Sequence, residues 1–265
     1  MNLYKRAAEI DRLERLSSGS SPIHRVHPKA KIITTAFYIV TVISFPRYDI
    51  SALLPFLLYP AVLMSLSGTP YKPLLFRLLV ALPFSLMAGV SNIFLIPETA
   101  LTIANTEISF GLLSFVSIML KTLLTVFAVL ILASTTSFIE TGHQLVLMGL
   151  PKILILQLMM TYRYTGVLLG EVLTMTTAYL LRAPRNKAVK MRDMGSFLGQ
   201  LILRSVDRAE RVYQAMKCRG FDGIYRGKTP KTFSVSDYIY TITLSALMLF
   251  LRFFNLSLFF ARLAY

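Results

Sequence analysis

Ser196–Gly223, SFLGQLILRSVDRAERVYQAMKCRGFDG, is the stretch on which the reading of the whole chain turns. Leu198, Leu201, Ile202, Val206, Ala209, Val212, Tyr213 and Met216 recur at steps of three and four, which stacks them on one face of a helix. Arg204, Asp207, Arg208, Arg211 and Lys217 fall elsewhere, so the helix is amphipathic with a charged back. Gly220 follows the last periodic residues and supplies the left-handed position at which a helix ends, which displays Arg219 on the final turn beside Cys218. An arginine so placed is either a plug for another protein's groove or a neutraliser of the negative end of its own helix. This stretch alone leaves both open.

The surrounding chain narrows the choice. Its 265 residues are 55% hydrophobic, yet they carry a formal net charge of +15, with a mean hydropathy of +0.61. A soluble domain of this size is not so apolar, whereas a membrane protein gathers its cations in the segments that stay in water. Binding to nucleic acid would also suit a pI near 10.1, but the positive-inside rule already accounts for the basic loops. One cysteine, Cys218, excludes an internal disulfide framework and suits a reducing, cytosolic face.

Met1–Ser21 mixes Lys5, Arg6, Arg12 and Arg15 with Glu9, Asp11 and Glu14 and reads as a basic cytosolic segment rather than a secretory signal. His24, Arg25, His27, Lys29 and Lys31 then reach the membrane edge as interfacial basic residues. Five apolar runs are expected to span: Ile32–Phe45 completed by Ala30 and the snorkelling stem of Lys31, Ile50–Leu66 bent at Pro55 and Pro60, Leu74–Ile96 kinked at Pro83, Leu112–Ala133, and Tyr238–Phe250 extending toward Phe260. Glu98–Gly111 carries two glutamates and no Lys or Arg, which places that loop outside and the N-terminus inside. Within the spans, Lys121 faces a protein partner or water, or snorkels to an interface, and Arg252 lies inside or at the outer end of the last one.

Between the fourth and last spans the composition changes. Ser137-Phe138-Ile139-Glu140 has the form of a capping box ahead of a short helix lying on the membrane surface. Ile153–Leu181 is apolar enough to span, but Arg163 and Glu171 interrupt it. Crossing there would also carry Arg182, Arg185, Lys187, Lys190 and Arg192 outside. It is read as a long helix packed under the membrane and stopped before Pro184. The expected fold is therefore an all-α polytopic membrane protein, with a basic N-terminal segment 1–29, four spans in 30–134, a cytosolic two-helix region 135–236, and a last span in 237–265.

Catalytic chemistry finds no footing. Gly227-Lys228-Thr229 resembles the end of a phosphate-binding loop, but Asp222 stands where its first glycine is required. His24 and His27 lack nearby ligands to complete a metal set, and His143 stands alone. No paired carboxylates, nucleophile elbow or serine triad can be traced, so the chain reads as non-catalytic, with no cofactor and no metal of its own. A solute carrier would place charged groups at the bilayer midplane, and only Lys121 and Arg252 qualify.

On these residues the chain resembles the transmembrane T component of energy-coupling-factor transporters, the EcfT/CbiQ family, and particularly its cobalt-uptake branch. The resemblance covers nearly the whole chain. It is carried by Ser21–Arg25 with His27–Lys31, by Ser44-Phe45-Pro46-Arg47-Tyr48, by Leu158–Tyr164 (LMMTYRY) and by Arg204–Gly223. It implies a pair of long crossing cytosolic helices, each ending in an Ala-Arg-Gly-like motif whose arginine docks on one of two ABC ATPase subunits. The second motif falls on Cys218-Arg219-Gly220, with cysteine in place of alanine. The first falls on Leu181-Arg182-Ala183, with Arg185 a rival for Arg182. The resemblance further implies a cell-membrane subunit that transmits ATPase motion to a separate substrate-binding S component. A stand-alone secondary transporter and a membrane anchor for a cytosolic partner are the competing readings.

Overall fold

Proline and glycine close the apolar runs and set the helix boundaries. The computed structural model describes residues 19, 21–46, 49–68, 71–95, 99–103, 106–182, 188–223 and 232–253. After one turn of helix, α1 (Pro22–Arg25), comes α2 (Pro28–Ile43), with Pro28 in its first turn and His27 as cap. The His27 Nδ1 accepts the Lys29 backbone N–H at 3.1 Å. The second run is broken into α3 (Ile50–Leu53), a 3-10 turn over Leu54–Leu57, and α4 (Leu58–Ser67), so the bend expected at Pro55 takes the form of a tightened turn. Gly68, at φ 64°, ends α4. Next come α5 (Tyr71–Leu95), which runs through Pro83, and α6 (Phe110–Thr135).

A plain loop was expected between α5 and α6. Instead, β1 (Thr99–Ile103) and β2 (Thr106–Ser109) pair antiparallel, with Leu101 opposite Ile108 and Ile103 opposite Thr106. The β-branched threonines and isoleucines of this segment favour the extended chain. With α10 (Val235–Phe253) these elements belong to one compact unit, Glu14–Ser137 with Lys231–Tyr265. A second unit, built on Phe138–Pro230, holds α7 (Phe138–Leu147), α8 (Lys152–Arg182), a 3-10 turn at Met191–Asp193, and α9 (Met194–Cys218).

The first unit is inverted in polarity relative to a water-soluble fold. Thr34, Ser114, Ser117 and Ser134 are fully buried, while Phe84 and Met87 stand 81% and 79% exposed. Small polar residues let helices approach closely, and large apolar ones face lipid. Tyr38, Val42, Leu53, Phe56, Leu124 and Met248 make the central contact of the bundle. There the Tyr38 hydroxyl donates to the Phe56 carbonyl at 2.9 Å. Pro60, four residues on, has no N–H to give that carbonyl, so the hydroxyl replaces a missing helical bond.

Three cations of this unit, Lys31, Lys121 and Arg252, are held by backbone oxygens at helix ends. Lys31, expected to snorkel, is 4% exposed and donates to the Thr135 carbonyl at the end of α6, at 2.8 Å. Lys121 Nζ donates to the Phe45 carbonyl at 2.7 Å. Arg252 donates to the Ser44 carbonyl at 2.9 Å and lies 4.1 Å from the Phe45 ring centroid. Both therefore sit on the negative C-terminal end of α2. At the other end of α2, the buried Asp237 accepts the His27 N–H at 2.8 Å and the Ser234 N–H at 2.9 Å, which ties the start of α2 to the start of α10. His27 is buried as part of this junction, not spread on an interface.

Among the described residues, Ile50–Ser67, Leu74–Ile93, Phe110–Thr135 and Lys152–Arg182 are long and apolar enough to cross a membrane. That set includes α8, which the sequence reading kept under the membrane. It leaves out α2, with 16 residues, and α10, whose 19 residues include Asp237 and Arg252. The architecture is that of an all-α polytopic membrane protein with a small extramembrane hairpin. The extension of the last helix toward Phe260 lies outside the described residues.

Candidate functional site

The second unit begins with a hairpin of helices. Phe138 of α7 stacks on Tyr162 of α8 at 4.5 Å between ring centroids. Gly142 lies against Met159, where an added Cβ would come within 2.8 Å of the methionine methyl. The methionine methyl, at the end of a flexible side chain, would have to move aside for any larger residue. A left-handed Gly149, at φ 103°, then turns the chain into α8.

Helices α8 and α9 run antiparallel. The Tyr179 hydroxyl donates to Asp193 Oδ2 at 2.6 Å near the connecting segment. Halfway along, Glu171 forms a direct ion pair with Arg204 and lies 4.0 Å from Arg208. At the far end Met160, Arg163 and Tyr164 of α8 face Val212, Met216 and Arg219 of α9 across an open cleft of about 420 Å³. The antiparallel course sets the two helix C-termini at opposite ends of the pair. A helix of 25 residues is about 37 Å long, so the arginines at the two tips are separated by a distance on that order.

The α9 tip has a defined geometry. The Gly220 N–H donates to the Lys217 carbonyl at 2.9 Å and the Phe221 N–H to the Met216 carbonyl at 3.0 Å, with Gly220 at φ 75°. This is a Schellman motif with Arg219 as the capping residue, so the backbone carrying the guanidinium is held by two bonds. Arg219 and Cys218 are exposed, and Lys217 lies over the Tyr213 ring at 5.0 Å. Arg182 is the last residue of α8 and is exposed. Ala183 and the rival Arg185 lie outside the described residues.

Leu201, Val212 and Met216 of the expected apolar face of α9 are half-buried, but Leu198, Ile202, Val206 and Tyr213 remain 48–60% exposed. The apolar stripe is therefore wider than the surface α8 covers. Two contributors, Arg163 and Glu171, have no site role in the sequence pattern, where both interrupt an apolar run and Arg163 also belongs to the LMMTYRY stretch. Arg204 and Arg208, four residues apart, hinted at a shared acid; nothing in the sequence indicated that Arg163 would face Arg219. Among the described residues no group of three His, Cys, Asp or Glu side chains is placed to hold a metal ion.

An all-α bundle with apolar residues turned outward fits a membrane component of a transport system. The comparisons agree: residues 19–231 match the model of the CbiQ family, described as cobalt transport protein, and the chain belongs to that family. It is 24% identical over 251 residues to the uncharacterized protein MJ1571 of Methanocaldococcus jannaschii, covering 89% of this chain and 84% of that one. It is 29% identical over 151 residues to the nickel permease LarQ of Lactiplantibacillus plantarum, covering 57% of this chain and 52% of LarQ.

Proposed function

We propose that this chain is the energy-coupling transmembrane subunit of an ECF-type ABC importer for cobalt ions. It is non-catalytic. Two separate ABC ATPase subunits bind the tips at Arg219 and at Arg182, with Arg185 the alternative at the second, and a separate membrane S component binds the ion. The subunit lies in the cell membrane with its N-terminus, α8 and α9 on the cytosolic side.

The observation that carries this reading is the α9 tip: an exposed arginine on a Schellman-capped helix end, braced from α8 through Glu171, in a chain of a cobalt transport family. A guanidinium on a rigid backbone can make a forked bond to a carboxylate that a lysine cannot reproduce. The ion pair also bears on the placement of α8. Glu171, well inside α8, is joined to a helix carrying Arg204, Asp207, Arg208, Glu210, Arg211 and Lys217, and such a helix cannot enter hydrocarbon. This supports placing the residues around Glu171 at the aqueous face, despite their apolar composition. Lys31, Lys121 and Arg252 of the bundle are engaged by helix-end carbonyls, which argues against a carrier with its own ion site built on them.

Impermeant maleimide tests the topology and the docking together, since Cys218 is the only thiol. Labelling of inside-out but not right-side-out vesicles, blocked when ATPase subunits are bound, is the expected result. Labelling from outside would overturn the orientation. Arg219→Glu is expected to abolish ATPase retention and ATP-driven cobalt uptake, and full uptake by that variant would remove the case for the coupling role. Nickel, the ion in the name of one relative, serves as the competing cargo in the same assay.

A further inference from the structure

We propose that the cleft at the α9 tip is a two-arginine receptor for an acidic segment of the ATPase subunit, with Arg163 of α8 as the second cation. The inference rests on the proposed coupling role and adds a residue on a different helix to the docking site.

Arg163 interrupts the apolar run of α8, is exposed, and, unlike Arg204 and Arg208, has no ion pair or side-chain hydrogen bond among the described residues. The same holds for Arg219. Both line one cleft, whose floor is apolar through Met160, Val212, Met216 and Phe221. Asp222 is the one carboxylate among the described lining residues, so the cleft carries an excess positive charge. Two guanidiniums lining one cleft attract a carboxylate more strongly than either alone, because their fields add at the shared site. A volume of about 420 Å³ takes a short turn of chain rather than a lone carboxylate. The complementary occupant is thus an Asp or Glu flanked by apolar side chains on a projecting segment of the ATPase. A concave cleft between two helices favours such a segment over a planar lipid surface, which the flat basic faces would serve better.

The geometry also explains why the α8–α9 register matters to docking. Glu171 holds the helices at the midpoint, and that hold keeps Arg163 beside Arg219.

The test uses the full chain in phosphatidylcholine nanodiscs, titrated with purified ATPase subunits of the same complex. Arg163→Glu and Arg163→Gln are expected to weaken binding by about tenfold or more and to flatten its salt dependence, and Arg163→Lys to keep the salt dependence while losing part of the affinity, since an ammonium keeps the charge but not the forked bond. The Arg163→Gln/Arg219→Gln double variant should lose less than the product of the single losses, because both cations hold one segment. Wild-type affinity for Arg163→Glu together with loss for Arg219→Glu would overturn the two-arginine cleft and leave the coupling role standing. Wild-type affinity for both would overturn the coupling role itself. A loss for Arg163→Glu seen only in nanodiscs containing anionic lipid would assign Arg163 to the membrane surface and likewise refute the proposal.

Discussion

Replacing Glu171 by Gln removes the charge that joins α8 to α9 while keeping size and one acceptor. The ion pair with Arg204 is direct, and Arg208 lies at 4.0 Å; the three side chains are 23%, 54% and 43% exposed respectively. Exposed pairs of this kind contribute about 0.2–1 kcal/mol each, and the second here is at the outer limit of contact. Since Gln still accepts a neutral hydrogen bond, the loss should be about 0.5–1 kcal/mol, a factor of about 2–5 in the local opening of the helix pair. Hydrogen–deuterium exchange in nanodiscs reads this directly. Amides of residues 204–212 should exchange about 2–5 times faster in the variant, and the gap should shrink at about 0.5 M salt, where exposed charges are screened beyond a few ångströms. A charge exchange, Glu171→Arg with Arg204→Glu, should recover much of the protection. Unchanged exchange, or a difference indifferent to salt, would refute the claim that this acid sets the register of the pair.

Three further outcomes are expected. Tyr38→Phe strands the Phe56 carbonyl that Pro60 cannot serve, and should destabilise the bundle by about 1–3 kcal/mol, read as a lower midpoint of unfolding in detergent. Gly220→Val forces a β-branched residue to φ 75° and should cost about 1–2 kcal/mol at the α9 tip, with weaker ATPase binding, whereas Gly220→Asn tolerates the left-handed backbone and should bind nearly as wild type. No atom lies within 4 Å of a Cβ at Gly220, so equal behaviour of the two variants would contradict the backbone argument. Asp237→Ala leaves the N–H groups of His27 and Ser234 without their acceptor and should destabilise the α2–α10 junction by about 2–3 kcal/mol, while Asp237→Asn should recover part of that in the same melting assay.

The membrane-spanning class and the backbone of the α9 tip were legible in the residues alone, because each depends on local pattern; the hairpin between α5 and α6 and the 3-10 break at Leu54–Leu57 were not. Apolar run length marks a span, steps of three and four mark a face, and a glycine after the last periodic residue marks an end. Gly220 adopts the left-handed backbone that its position implied, and Arg219 stands at the cap.

The partners of the charged residues were not legible. Lys31 was expected to snorkel and Lys121 had no acid within the spans to pair with, yet the partners of Lys31, Lys121 and Arg252 are carbonyls of Thr135, Phe45 and Ser44, and every residue type carries a carbonyl. Which carbonyl is left without a helical bond depends on where another helix ends and how close it lies, and only folding determines that. Glu171 and Arg163 became parts of a site for the same reason: the antiparallel register brings them to Arg204 and to the cleft of Arg219, across tens of residues that no periodicity connects.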